Sequence, residues 1–359
     1  MDNAYLFVFF ASFSSLFVMR KIAKIIGLVD RPDIRKLHQG MIPLVGGISI
    51  YIALIIAILL YIPMSVNLQL YLSCSTLLIL LGVLDDYFNI SVKIRLLVQA
   101  TISLAMILIG DLKLVNLGYL FGNETIILSE SIGIIITIMA VIGAINAFNM
   151  VDGIDGLVGG LASVSFCSLG FFFILNGNEF LATLCLLIVN ALIPYIILNI
   201  GFPFGFRFKV FMGDAGSMFI GFSIIWMLLC GTQNIETKAL KPVTALWIIA
   251  IPLMDMATIM IRRVINGNSP FKPDREHIHH IFQRMGLSPT MTLIVICFIA
   301  TIFSVFGVWA DLNNIHESTM FITFLFLFIL YFTTLVMLSR LKNVAINNFF
   351  TRKKKRIIS

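Results

Sequence analysis

The sequence predicts an all-α integral membrane protein, and three observations carry that expectation. Of its 359 residues, 59% are hydrophobic and only 12% are charged, roughly half the ~25% charged share of an ordinary soluble domain. Mean hydropathy is +1.02 and 32 residues are Phe, so too little polar surface exists to wrap a water-exposed body of this length. The apolar residues also fall into runs of span length, separated by connections that gather Gly, Asn, Asp, Arg and His. The same composition excludes disordered, fibrous and disulfide-stapled classes. Cys74, Cys167, Cys185, Cys230 and Cys297 all lie inside apolar runs, with no pair at a metal-ligand or disulfide spacing.

Taking about 20 residues per crossing, spans are expected near 4–20, 44–62, 69–84, 95–112, 131–148, 157–175, 181–199, 215–231, 243–261, 290–310 and 319–338, eleven in all. The first is preceded only by Asp2 and followed by Arg20, Lys21 and Lys24, an order that opposes a cleavable signal peptide and places the N-terminus outside. With eleven crossings, 22 of the 25 Lys and Arg residues fall on one side, leaving Lys113, Lys238 and Lys241 on the other. The positive-inside rule then puts the N-terminus outside and gives a cytoplasmic C-terminus with five cytoplasmic loops. Residues 1–340 read as one polytopic domain and 341–359 as a basic cytoplasmic tail. The net charge of +7 needs no nucleic acid to explain it, because Arg352 to Arg356 beside a span suit anionic lipid headgroups. Pro252 stands inside the ninth span and is expected to bend it, opening a groove for lipid beside Asp255.

Four inner connections concentrate polar chemistry. In the first, Asp85-Asp86 end one span and Lys93 and Arg95 begin the next; adjacent carboxylates repel and want a cation nearby, although solvated acids capping an interface explain such a pair equally well. The second, Asn146-Ala147-Phe148-Asn149-Met150-Val151-Asp152-Gly153-Ile154-Asp155-Gly156, offers oxygen donors for a hard divalent cation or for ribose and base hydroxyls, with glycines that allow close backbone approach. A plain turn with helix caps is the weaker reading there. The third, Lys209 to Ser217, sets Asp214 at a helix entrance beside Phe211, where a helix cap is the bland alternative. The fourth and longest, Arg262 to Pro289, holds Arg275, His277, His279 and His280. Three histidines invite zinc, but no Cys is near and the loop is basic, which fits an anionic ligand better. Together these describe a site for a diphosphate-containing substrate beside lipid, where positioning and charge neutralisation carry phosphoryl transfer.

In order and inner-loop position, Asp85-Asp86, the Asn146 to Gly156 run, Phe211 to Ser217 and His277-Ile278-His279-His280 resemble the motifs of the polyprenyl-phosphate N-acetylhexosamine-1-phosphate transferases, over nearly the whole chain. Arg35 to Gly47 and Thr244 to Met256 are similar, more narrowly, to bacterial members that start O-antigen and enterobacterial common antigen synthesis. The resemblance implies transfer of GlcNAc-1-phosphate from UDP-GlcNAc to undecaprenyl phosphate, release of UMP, a requirement for Mg²⁺ or Mn²⁺, and a location in the inner membrane of a bacterium, with the outside N-terminus periplasmic. It further implies Asp214 as a metal ligand with Asn149 as a second, Phe211 stacked on uracil, and Asp155 hydrogen-bonded to it. Lys93 and Arg95 would meet phosphates. Asp85 and Asp86, grouped with Asp152 as catalytic, would serve the acceptor phosphate. Arg275, His277, His279 and His280 would hold the diphosphate or sugar, and Asn199 would join the nucleotide pocket.

Two rivals differ in kind. A transferase acting on UDP-N-acetylmuramoyl-pentapeptide would carry three consecutive histidines rather than His-Ile-His-His. A nucleotide-sugar or ion transporter would place charges near mid-bilayer, whereas here only Asp255 lies deep in a span. A homodimer is neither required nor excluded.

Overall fold

The computed structural model describes residues 2–31, 40–233, 239–270 and 276–358. It is helical almost throughout: α1 (Asp2–Ile26), α2 (Gly46–Tyr61), α3 (Val66–Phe88), α4 (Val92–Gly110), α5 (Glu130–Val151), α6 (Leu157–Leu175), α7 (Glu179–Ile200), α8 (Gly213–Gln233), α9 (Pro242–Ile248), α10 (Ala250–Ile265), α11 (Ile278–Arg284), α12 (Pro289–Leu312) and α13 (Glu317–Ile358). A two-residue antiparallel pair, β1 (Val29–Asp30) with β2 (Ile42–Pro43), links the first two helices. This is a multi-pass membrane protein: among the described residues nine helices are long and apolar enough to cross a bilayer.

The expected count of eleven is altered at two places. Helix α2 has 16 residues, about 24 Å at 1.5 Å per residue, shorter than a ~30 Å hydrocarbon core. The ninth expected span is two helices, α9 and α10, meeting at 81°, so it counts as a tenth crossing only if the broken pair spans as a unit. Pro252 contributes to that break, though the turn itself falls at Ile249. Lacking an N–H, Pro252 cannot bond the carbonyl four residues back, and Ile248 O accepts from Ser165 Oγ instead (3.2 Å). At its other end α9 is tied to the end of α12, where Asp311 Oδ2 accepts from Lys241 N (2.9 Å) and from Thr244 Oγ1 (2.5 Å).

Helix α8 is the axis of the bundle, and every residue from Ala215 to Leu229 is buried. Glycines bring its neighbours against it. A Cβ on Gly47 of α2 would land on the Gly216 backbone, one on Gly82 of α3 on the Ala215 backbone, and α8's own Gly221 meets the Ile145 and Ala144 backbone of α5. Within a bilayer, where lipid chains are as apolar as Leu, such close approach supplies the packing that holds helices together.

Candidate functional site

The four polar connections meet at one end of the bundle. At the start of α8 the chain enters through Gly213 at φ +73°, a left-handed conformation that suits glycine. A side chain there would also collide with the Asp86 carboxylate. Asp86 Oδ1 accepts from Asp214 N (3.0 Å) and its Oδ2 from Ala215 N (3.5 Å). It therefore satisfies the open N–H groups of α8 and lies at the positive end of the helix dipole. The capping role that is the bland alternative for Asp214 is filled by Asp86, which leaves the Asp214 side chain available to the site.

Asp85 is buried and receives Arg95 Nη1 at 2.7 Å, while the same nitrogen lies 4.0 Å from Asp214 Oδ2. The cation required by the adjacent carboxylates is thus Arg95, and Lys93 is exposed one residue into α4. Asn149, from the last turn of α5, donates to Asp214 Oδ1 (2.8 Å) and to Ser217 Oγ (2.9 Å). Asp152, just beyond α5, is pushed up to about 8 by loss of water and by the negative charge of Asp214 and Asp155. Among the described residues no three His, Cys, Asp or Glu side chains converge on one point as a ready metal cage.

Beside this cluster lies an aromatic and cationic corner. Lys209 Nζ pairs with Asp155 Oδ2 at 2.5 Å and stands 5.3 Å from the centre of the Phe211 ring and 5.4 Å from that of Phe206, within cation–π range. The Phe211 segment is held by backbone bonds to the strand before α2: Phe211 N donates to Pro43 O (2.9 Å), Gly46 N to Phe211 O (2.9 Å) and Gly47 N to Met212 O (3.0 Å). Asn199 is buried beside this corner. Its amide accepts from Gly156 N and donates to Val210 O (2.7 Å), so both of its polar ends fix backbone and join the α5–α6 connection to the Phe211 segment.

The histidine loop closes the other side. His277 Nδ1 donates to Asp255 Oδ2 (2.6 Å) and Ile278 N to Asp255 Oδ1 (3.0 Å). The rings of His277 and His279 stack with centroids 5.6 Å apart and 9° between planes, and His280 lies 4.2 Å beyond His279. His279 packs on Gly153, where a Cβ would strike its ring, which brings this loop onto the Asp152–Asp155 turn. Both His279 ring nitrogens are buried without a hydrogen-bond partner, and burial together with the neighbouring His280 and His277 lowers its pKa to about 3. Glu276 joins Arg262 and Arg284 at 3.1 Å each. Arg275, and Arg35 to Gln39 of the narrower resemblance, lie outside the described residues. Asp255 is fully buried in these bonds, so the one carboxylate deep in a span anchors the loop rather than lining a groove beside the bend.

Sequence reasoning missed Lys209, Ser217, Glu276 and Tyr331 as site partners. Lys209 carried a signal, since a cation between Phe208 and Val210 in an apolar stretch must find a partner when buried. The others depend on contacts between distant parts of the chain.

Residues 68–232 match the family described as Glycosyl transferase family 4. The chain is 47% identical over 320 residues, 88% of its own length and 86% of the relative's, to the undecaprenyl-phosphate alpha-N-acetylglucosaminyl 1-phosphate transferase of Escherichia coli O157:H7. Proteins of the same name from Yersinia pestis (48% over 332 residues, 92% and 90% covered) and Haemophilus influenzae (46% over 323 residues, 90% of each) are similarly related. With relatives at 46–48% identity matched over 88% or more of its length, this chain belongs to glycosyl transferase family 4, among the relatives of the undecaprenyl-phosphate alpha-N-acetylglucosaminyl 1-phosphate transferases.

Proposed function

We propose that this protein transfers GlcNAc-1-phosphate from UDP-GlcNAc to undecaprenyl phosphate, giving undecaprenyl-diphospho-GlcNAc and UMP. The observation that carries the reading is the convergence, at one end of the bundle, of the Asp214–Asn149 pair, the Lys209–Asp155–Phe211 corner and the histidine loop, in a chain related over 88% of its length to enzymes of that name. We place this end on the cytoplasmic face of a bacterial inner membrane because the basic residues gather there. The segment 341–359, expected as a separate basic tail, continues α13 as far as Ile358, and on this reading its basic residues meet anionic lipid.

The donor set fits Mg²⁺ or Mn²⁺. Asp214 offers a carboxylate with one oxygen bonded only to Asn149, and Asn149 offers an amide beside it. Mg²⁺ ordinarily takes one or two protein carboxylates and completes its shell with substrate phosphates and water, so a site without a full protein cage is what it uses. When bound, the cation neutralises charge on the diphosphate. Phe211 supplies a face for uracil, and Asp155 an acceptor once Lys209 turns from it to the phosphates. An oxygen of the acceptor phosphate attacks the phosphorus that bears the sugar. The bond from that phosphorus to the bridging oxygen breaks and UMP leaves with the electron pair. The anomeric C–O bond is untouched, so the α-configuration is retained.

Purified protein in detergent, given UDP-GlcNAc and undecaprenyl phosphate, should release UMP only when both substrates and a divalent cation are present. Turnover with UDP-N-acetylmuramoyl-pentapeptide instead, or movement of UDP-GlcNAc across sealed vesicles without UMP release, would replace this reading.

A further inference from the structure

Asp255 is fully buried and its two oxygens take three hydrogen bonds from two distant parts of the chain. His277 Nδ1 and the Ile278 backbone N–H come from the histidine loop. The third donor is the Tyr331 hydroxyl, 3.0 Å from Oδ1, on the last span. Tyr331 lies outside all four polar clusters and 76 residues from Asp255.

Chemistry fixes what this arrangement does to the imidazole. A carboxylate only accepts, so Nδ1 of His277 carries the proton facing Asp255, and the nitrogen left for other partners is Nε2. The Ile278 N–H on the other oxygen fixes the backbone that starts α11, and the Tyr331 hydroxyl keeps the carboxylate from rotating. The stack of His277 on His279, and of His279 on Gly153, carries that orientation to the Asp152–Asp155 turn.

We infer that Asp255 and Tyr331 are positioning residues for the transfer, with the last span locking Asp255 so that it holds His277 in one tautomer and the histidine loop in one pose. This rests on the reading that the loop faces the nucleotide-sugar donor. Neither residue touches substrate, so each acts through His277.

The test joins kinetics to a tautomer measurement. Asp255→Asn keeps the volume but presents an NH₂ to Nδ1, which reverses the tautomer; in a different enzyme an Asp-to-Asn change beside a histidine costs about 10⁴ in rate for that reason. We expect a fall in kcat on the order of 100-fold or more for Asp255→Asn and about tenfold for Tyr331→Phe, with KM for undecaprenyl phosphate unchanged. In a His277→Gln background neither substitution should lower the rate further. Spectra of protein labelled with ¹⁵N-histidine should show the His277 proton on Nδ1 in the native chain and on Nε2 in Asp255→Asn.

Wild-type kcat in both variants while His277→Gln is inactive would overturn the positioning role and leave the transferase reading standing. So would losses that multiply in the His277→Gln background, or a tautomer that does not move. If the native chain releases no UMP while the ring proton moves as expected, the transferase reading fails and the orienting contact survives.

Discussion

The two halves of the site are held in different ways. The carboxylate half is built against the start of α8, where Gly47 and Gly82 bring α2 and α3 backbone to backbone with it, Asp86 accepts its free N–H groups, and Gly46 and Gly47 N–H fix the segment just before it. The histidine half follows the broken span and rests on the buried Ile278 and Ile281 of α11, with Asp255 holding its histidine and Glu276 bracing Arg262 and Arg284. Redundant backbone contacts give the first half rigidity that no single side chain decides. In the second, one group carries the orientation, so its loss is felt in chemistry before it is felt in folding.

The sharpest way to break this comparison is to put a side chain on a tightly packed glycine in each half. Gly47→Val puts methyl groups onto the Gly216 backbone, where nothing can rotate away. The cost should exceed ~3 kcal/mol, the upper end of overpacking, and appear as loss of a monodisperse peak in detergent. Gly153→Ala presses first on the His279 ring, a side chain rather than backbone. Its melting temperature should stay within a few degrees of the native protein while the transfer rate falls. If Gly153→Ala unfolds the protein as Gly47→Val does, the two halves are equally rigid and the distinction fails.

Next in size are the carboxylates. Asp214→Asn should abolish detectable transfer with membrane insertion intact, because an amide is a weaker ligand for a hard cation; near-native activity at limiting Mg²⁺ would remove Asp214 from the metal. Asp86→Asn should cost about 2 kcal/mol of stability, since an NH₂ then faces the N–H groups that the carboxylate accepted. Its effect on rate separates two roles. Because both Asp86 oxygens accept backbone N–H bonds, the outcome we expect is that of a positioner rather than a general base. The acceptor phosphate, whose second pKa is near 6, needs little deprotonation at pH 7. The rate defect should be constant between pH 6 and 9, and one that shrinks as pH rises would mark a base.

The spans and the four polar clusters were legible because both are local: an apolar run or an Asp-Asp pair is read within one stretch of chain. Their partners were not. Asp86 bonds Asp214 across 128 positions, Lys209 reaches Asp155 across 54, and Asn199 bonds backbone 43 positions before it and 11 after it. The short α2 and the turn at Ile249 escaped for a different reason. An apolar run gives the length of a hydrophobic stretch, and it is silent on where the helix within it starts or breaks. Pro252 marked the region of the break, yet the turn settled at the residue after its orphaned carbonyl, Ile248, where Ser165 was available to satisfy it.

The smallest effect should come from His279, and it tests whether the histidine half can be loosened on its own. Its ring nitrogens have no partner and burial holds its folded-state pKa near 3, against an ordinary value of 6.5. The direction follows from which state binds the proton. Once the loop opens, the ring takes up a proton below about pH 6.5 that the packed loop refuses, so the packed form is favoured fully above that pH and progressively less as pH falls. At pH 5.5, one unit below, the loss is about 1.4 kcal/mol relative to neutral pH. Asp255, whose charge favours a protonated ring, opposes this, while His277 and His280 reinforce it. Hydrogen exchange of α11 should therefore quicken roughly tenfold between pH 7.5 and 5.5 after correction for intrinsic rates, with α8 unaffected. His279→Gln, which cannot titrate, should flatten that dependence. A slope that persists in His279→Gln would assign the acid sensitivity to another group, and a parallel change in α8 would mean that the two halves open together.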